Sequence, residues 1–360
     1  MSIDFNRERW ERVTENYSLW WEGKLTRPLI HITVDGRDPG RSEPALPYRS
    51  FTAFYESAVH EADIVDRWDY QLSQKLYLGD AFPAVFPNFG PGAIGAFLGA
   101  RTRFDADTVW FLVDTPGSIT ELELAYNTQH EWLQRIEKLC NLATGRWEGL
   151  VQVSMTDLGG TLDVLSIFRP GELLLLDLYD APEAVTRLTW QVHHLWWQFF
   201  ERIQACLLPE NPGYTAWAPI FSMHPYYMLQ CDFCYMLSPD LFQQYVEPEL
   251  RASCRRLVHP FYHLDGPGAL AHLDSLLAIE ELKGIQWVPG DGQPDQRHWP
   301  EVYQRIHDAG KLIQLFGEID VLDAVAGQLG GADGIIYIGS VPRSRLREAQ
   351  ELLEKYDCCT

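Results

Sequence analysis

Hydrophobic positions along this chain follow two alternating rhythms. Trp10, Val13, Tyr17, Trp20 and Trp21 recur at helical spacing among charged residues, so residues 5–23 are expected to form an amphipathic helix. RPLIHITVDG then reads as a first buried strand ending at Gly36, and the Pro-, Gly- and Ser-rich DPGRSEPALPYRS as a loop. Residues 50–80 turn helical, and AFPAVFPNFGPGAIGAFLGA, with four Gly and three Pro, reads as a short strand entering an irregular loop. TVWFLVD is strand-like, and Ser118 to Cys140 predicts a long helix capped by Ser118 or Thr120. Beyond it, strands are predicted at 150–155, 214–220, 260–265, 284–289, 311–316 and 334–339. Helices at 182–205, 238–257, 268–281, 299–309, 319–329 and 343–355 separate them.

These strands are short, apolar and rich in β-branched or aromatic residues, as strands covered on both faces are. About eight of them alternate with helices, the mark of a parallel α/β fold. We therefore expect one domain over residues 1–360, a (β/α)8 TIM barrel behind an N-terminal helical extension at 1–26. No Gly-rich strand-to-helix fingerprint supports a doubly wound dinucleotide fold.

Composition narrows the function. The net charge of −21 comes with no run of Lys or Arg, which excludes a nucleic-acid partner, since neutralising phosphates takes clustered positive charge. The charge serves solubility or favours a cationic partner. The opening MSIDFNRERWERV lacks the apolar stretch of a secretory leader, and no apolar run approaches a membrane span. Seven Cys at irregular spacing predict no disulfide framework, so the expected location is the reducing cytoplasm. The 13 Trp, 16 Tyr and 17 Phe point to bulky packing and an aromatic-lined pocket.

In such a barrel, chemistry sits where strands end. FYHLDGPGAL places His263 and Asp265 on one side of a pleat, followed by a Gly-Pro-Gly turn. The pair suits metal binding, substrate orientation or acid–base work; the alternative is a structural hydrogen-bonded pair. In GEID, Glu318 either completes a site with His263 or serves the surface, and Asp320 reads as a helix cap. CDFC offers Cys231 and Cys234, with Asp232 between them, as zinc ligands or as buried inert thiols. Trp287 and Asp291 suit a pocket wall and a polar contact, and Asn88, Thr156, Asp157 and Asp163 either pocket or turn chemistry. The final Cys358-Cys359 reads as a frayed tail.

Five stretches together resemble the uroporphyrinogen decarboxylase superfamily over most of the chain. They are TRPLIHITVDGR, TDLGGTLDVL, CDFCYMLSPDLFQQYVEPEL, YHLDGPGALAHLDSLLAIEELKGIQWVPG and QLFGEIDVLDAV. The resemblance is greatest to uncharacterised bacterial members labelled trimethylamine corrinoid protein-like. It implies two candidate chemistries on one barrel: tetrapyrrole decarboxylation, and zinc-dependent methyl transfer involving a thiol or corrinoid.

The chain departs from both patterns. It keeps Gly36-Arg37 but has Thr33 where the decarboxylases place the first substrate-gripping Arg, and Asn88 where they carry an acidic residue. Where the methyltransferases hold zinc with His-x-Cys and a later Cys, this chain has His263 and Asp265, with no Cys near Glu318. The resemblance therefore implies a small-molecule methyltransferase with His263, Asp265 and Glu318 as catalytic or metal-binding residues and Cys231 as a further ligand. Arg37, Asn88, Asp157 and Trp287 would shape the substrate pocket. Zinc is the implied metal, a corrinoid is expected on a separate protein, and relatives suggest a homodimer. The alternative is a decarboxylase or other lyase acting on a small carboxylic acid through the His263–Asp265 pair.

Overall fold

The computed structural model describes residues 3–358. Its strands are β1 Leu29–Asp35, β2 Lys75–Gly79, β3 Ala84–Val85, β4 Arg101–Phe104, β5 Val109–Leu112, β6 Gln152–Val153, β7 Tyr226–Gln230, β8 His259–Asp265, β9 Gly284–Val288, β10 Leu312–Phe316 and β11 Ile335–Pro342. Seven pair in the order β2-β1-β11-β10-β9-β8-β7, all neighbours parallel except the antiparallel β2–β1 edge. β3 and β6 form a separate parallel pair, and β4–β5 an antiparallel hairpin. Helices between successive strands cover the sheet, so the fold is α/β with a mostly parallel central sheet.

The N-terminal helix Arg7–Trp21 forms where its periodicity predicts, with Asn6 Oδ1 accepting from Arg9 N at 2.9 Å. Trp10, Val13, Tyr17, Trp20 and Trp21 are all buried. Trp21 stacks on His259 at 4.3 Å between ring centroids, and Trp20 stacks on Phe261. The stripe thus packs against the chain's own β8, not outward toward a partner.

Several expected elements are displaced. Residues 214–220 form no strand: Tyr214 makes only an antiparallel bridge to Ser222, and the parallel strand is YYMLQ at Tyr226–Gln230. TVWFLVD does form a strand, Val109–Leu112, but in the outlying hairpin and not among the parallel strands. The long helix begins only at Glu131 and runs to Trp147, because His130 Nδ1 caps it by accepting from Trp132 N at 3.3 Å. Ser118 and Thr120 hydrogen-bond to each other instead. Asp320 is the first residue of the helix Asp320–Leu329 and pairs with Arg297 at 2.6 Å, without capping through its side chain. Cys358 is no frayed tail: it is buried, its thiol donating to Asp80 Oδ2 at 3.3 Å, and Cys359 lies outside the described residues. Among the described residues no helix is long and apolar enough to cross a membrane.

Candidate functional site

The register of the parallel strands builds a polar row. Gln230 on β7 pairs with His263 on β8, His263 with Gln286 on β9, and Gln286 with Gln314 on β10. Residues in register point to the same face, so four hydrogen-bonding side chains stand side by side there. Gln286 Nε2 donates to Gln314 Oε1 at 2.7 Å, leaving its amide oxygen to face His263 Nδ1. His263 Nδ1 must therefore carry the proton, and Nε2 keeps its lone pair. Trp217 meets the imidazole edge-to-face, with ring centroids 5.9 Å apart.

Two carboxylates join this imidazole. Asp265 lies two residues further along β8, on the same face as His263. Asp232 follows the end of β7, which is hydrogen-bonded alongside β8. One ligand atom from each of Asp232, His263 and Asp265 comes within 4.8 Å of the others. Asp163 fixes the backbone of this corner: its carboxylate accepts from Asp232 N at 3.1 Å and from Phe233 N at 2.7 Å. Gly160, just before the helix Thr161–Phe168, allows that approach, because a Cβ there would lie 2.2 Å from Gln230 O.

The carboxylates crowd one another. Burial pushes Asp157 up to about 6, against hydrogen bonds from Gly159 N at 2.8 Å and Gly92 N at 3.4 Å. Burial followed by the Asp232 charge raises Asp163, and burial followed by the Asp265 charge raises Asp232. Asp232 is open to solvent on one side yet flanked by protein on the others, which is where its desolvation arises. Asp157 also lies within electrostatic reach of His263. Among the described residues no Lys or Arg forms an ion pair with Asp157, Asp163, Asp232 or Asp265. The corner is short of positive charge and suited to a cation.

The other expected residues lie in varied settings. A cleft of about 530 Å³ is lined by both Asp265 and Glu318, with Asp291 and Phe316, but Glu318 is exposed and paired with Arg345 at 2.7 Å, outside the three-residue cluster. Cys231 is buried, and its hydrogen bond with Cys234 and its burial push the thiol well up, so the sulfur is held in the inert thiol form. Trp287 occupies the opposite face of β9 from Gln286, fully buried against Trp299, and is a core residue, not a pocket wall. Asn88 closes a turn, its oxygen accepting from Gly90 N and its amide donating to Ser50 O. Arg37 donates to Ser73 O at 2.6 Å and lies near Asp4. Thr156 donates to Pro87 O. A separate cavity of about 790 Å³ lies between the β4–β5 hairpin and the helix Glu131–Trp147, with Phe89, next to Asn88, in its wall.

Sequence reasoning passed over Asp232 as a ligand, Asp163 as its anchor, and Gln286 and Gln314. Asp232 carries a signal, a carboxylate two residues past a strand, which shows only once the strand is Tyr226–Gln230 and not 214–220. Gln286 sits in GIQWVP beside Trp287, where a polar residue inside an apolar strand is itself the signal.

One nitrogen and two carboxylate donors on one side, with solvent on the other, form a three-ligand set with an open position. That set fits a divalent metal, including zinc, and is oxygen-richer than a thiolate site. No protein-family model matches this chain, and no curated protein matches it. Among solved structures, it is similar to a methyltransferase from Methanosarcina mazei, with a TM-score of 0.60 and 11% identity, covering 96% of this chain and 98% of that chain. At that identity the likeness is one of fold.

Proposed function

We propose that this chain is a metal-dependent small-molecule methyltransferase linked to a corrinoid carried by a separate protein. The observation that carries the reading is the convergence of Asp232, His263 and Asp265 within 4.8 Å at the ends of adjacent parallel strands. The fold shared with the Methanosarcina mazei methyltransferase supports it, as do the motifs resembling the uroporphyrinogen decarboxylase superfamily. We read the two parallel sheets as arcs of one (β/α)8 barrel, consistent with their strand order and with the helices between strands.

In this reading His263 Nε2 and the carboxylates of Asp232 and Asp265 are the ligands. A metal such as zinc would supply Lewis-acid polarisation of a substrate heteroatom at the open position. The Gln286–Gln314 relay holds His263 in one tautomer and orientation. Asp163 holds the Asp232 backbone. Asp157, pushed up to about 6 by burial, is suited to hold or release a proton beside the cluster.

The raised carboxyls of Asp157, Asp163 and Asp232 favour one second reading, a metal-free lyase using a protonated carboxyl as acid with His263 as base. Elemental analysis of tag-free protein beside the His263→Ala variant separates the two. About one zinc or similar ion per chain, lost in the variant, supports the transferase, and methylation of free cobalamin by methylated amines, ethers and thiols is then assayed. Metal-free protein that still acts on a small acid sinks it.

A further inference from the structure

The face that carries Asp265 continues across the sheet to β1. Asp265 pairs with Val288, Phe316 pairs with Ile338, and Ile338 pairs with His31, while Val288 and Phe316 line one cleft. His31 opens onto a second cavity of about 320 Å³, shared with Thr33, Phe82, Ile338 and Ser340. Its side chain is 3% exposed, and Nδ1 is sealed with no hydrogen-bond partner among the described residues.

The neighbouring donors are already committed. Thr33 Oγ1 donates to Ser340 Oγ at 3.0 Å, Ser340 Oγ donates to Asp35 Oδ2 at 3.1 Å, and Tyr77 donates to Leu72 O at 2.9 Å. Lys75 faces Asp35 at 3.6 Å. Burial holds the His31 imidazole down to about 3, so the ring is neutral at working pH. A proton on sealed Nδ1 would be a buried donor without an acceptor, so the neutral ring carries it on Nε2, toward the cavity. No unpaired charge waits there, so a carboxylate would enter without a counter-ion.

We propose that this cavity binds the end of the substrate remote from the reacting atom, with His31 Nε2–H holding a neutral oxygen acceptor such as a carbonyl or ether oxygen. The inference rests on the reading that the reacting end lies at Asp232, His263 and Asp265. The row from Asp265 to His31 gives an apolar span of Val288, Phe316 and Ile338 between two polar ends.

The test is a titration of full-length, ¹⁵N-histidine-labelled protein with acetamide and, separately, with acetate, following the His31 ring nitrogens by NMR. A saturable shift with acetamide is expected, with acetate giving none or a weaker one. In His31→Phe, acetamide binding followed by saturation-transfer NMR on the acetamide methyl group weakens by at least about tenfold. His31→Gln, whose amide still donates, keeps part of the binding and guards against misfolding as the cause. His263→Ala keeps the acetamide response although it loses metal, which separates failure here from failure of the metal site. No shift with acetamide, a stronger one with acetate, or unchanged affinity in His31→Phe overturns the proposal.

Discussion

His263 and Gln286 stand in register on β8 and β9, and the imidazole Nδ1–H donates to the Gln286 amide oxygen while Gln286 Nε2 donates onward to Gln314 at 2.7 Å. The strand pairing thus favours the tautomer whose Nε2 lone pair faces the proposed metal position. Gln286→Leu removes the acceptor without touching the three ligands. It is expected to weaken metal binding about 10–100-fold, measured by chelator competition. Unchanged affinity would remove the relay from the account.

Asp232 and Cys231 are neighbours in opposite settings. Asp232 converges with His263, whereas the Cys231 thiol is buried against Cys234. Asp232→Asn is expected to lower metal occupancy by at least about tenfold, the effect of losing one charged ligand from a three-ligand site. Cys231→Ser should leave occupancy unchanged. The opposite ranking in elemental analysis would return the sulfur to the ligand set.

The metal-free protein should gain stability as it is acidified from neutral pH. Burial raises Asp157 to about 6 from 3.8, so the folded state binds more protons than the unfolded chain between those values. The extra stability is fully present below the unfolded value and is lost as pH rises through about 6. The Asp157 share of it is at most about 3 kcal/mol. Urea unfolding of chelator-treated protein at about pH 5 and about pH 7.5 measures it. Asp157→Asn should reduce that difference, with the raised Asp163 and Asp232 carrying the rest, and a profile as steep as wild type would reject this assignment.

Glu318 pairs with Arg345 at 2.7 Å on an exposed edge. Because solvent screens such pairs, Glu318→Gln is expected to change stability by no more than about 1 kcal/mol, and to leave metal content intact. Loss of metal in this variant would show that Glu318 swings inward when the site is filled.

Trp287 is fully buried between β9 and the helices, its ring 5.1 Å from that of Trp299. Trp287→Ala should cost about 3–5 kcal/mol of stability through loss of buried area and creation of a cavity. Fragment binding and metal affinity of the folded variant should match wild type. A selective loss of binding with normal stability would place the indole in the pocket after all.

The amino-acid sequence by itself determined the α/β alternation, the N-terminal helix and the position of His263 and Asp265. Each of these depends on local period: apolar residues every third or fourth position for Arg7–Trp21, and alternation along β8 that sets both polar residues on one face. Strand placement failed at 214–220, where YTAWAPI is as apolar as YYMLQ at 226–230. Local pattern cannot rank two such runs; pairing with β8 decides between them. That pairing brings Asp232 to His263 across about thirty residues of chain. Register likewise joined Gln286 and Gln314 to the imidazole. The fold also buries Trp287 against Trp299 and leaves Glu318 at the surface beside Arg345. Contacts between residues far apart in the chain depend on which strands pair, and in what register, and only the folded sheet settles both.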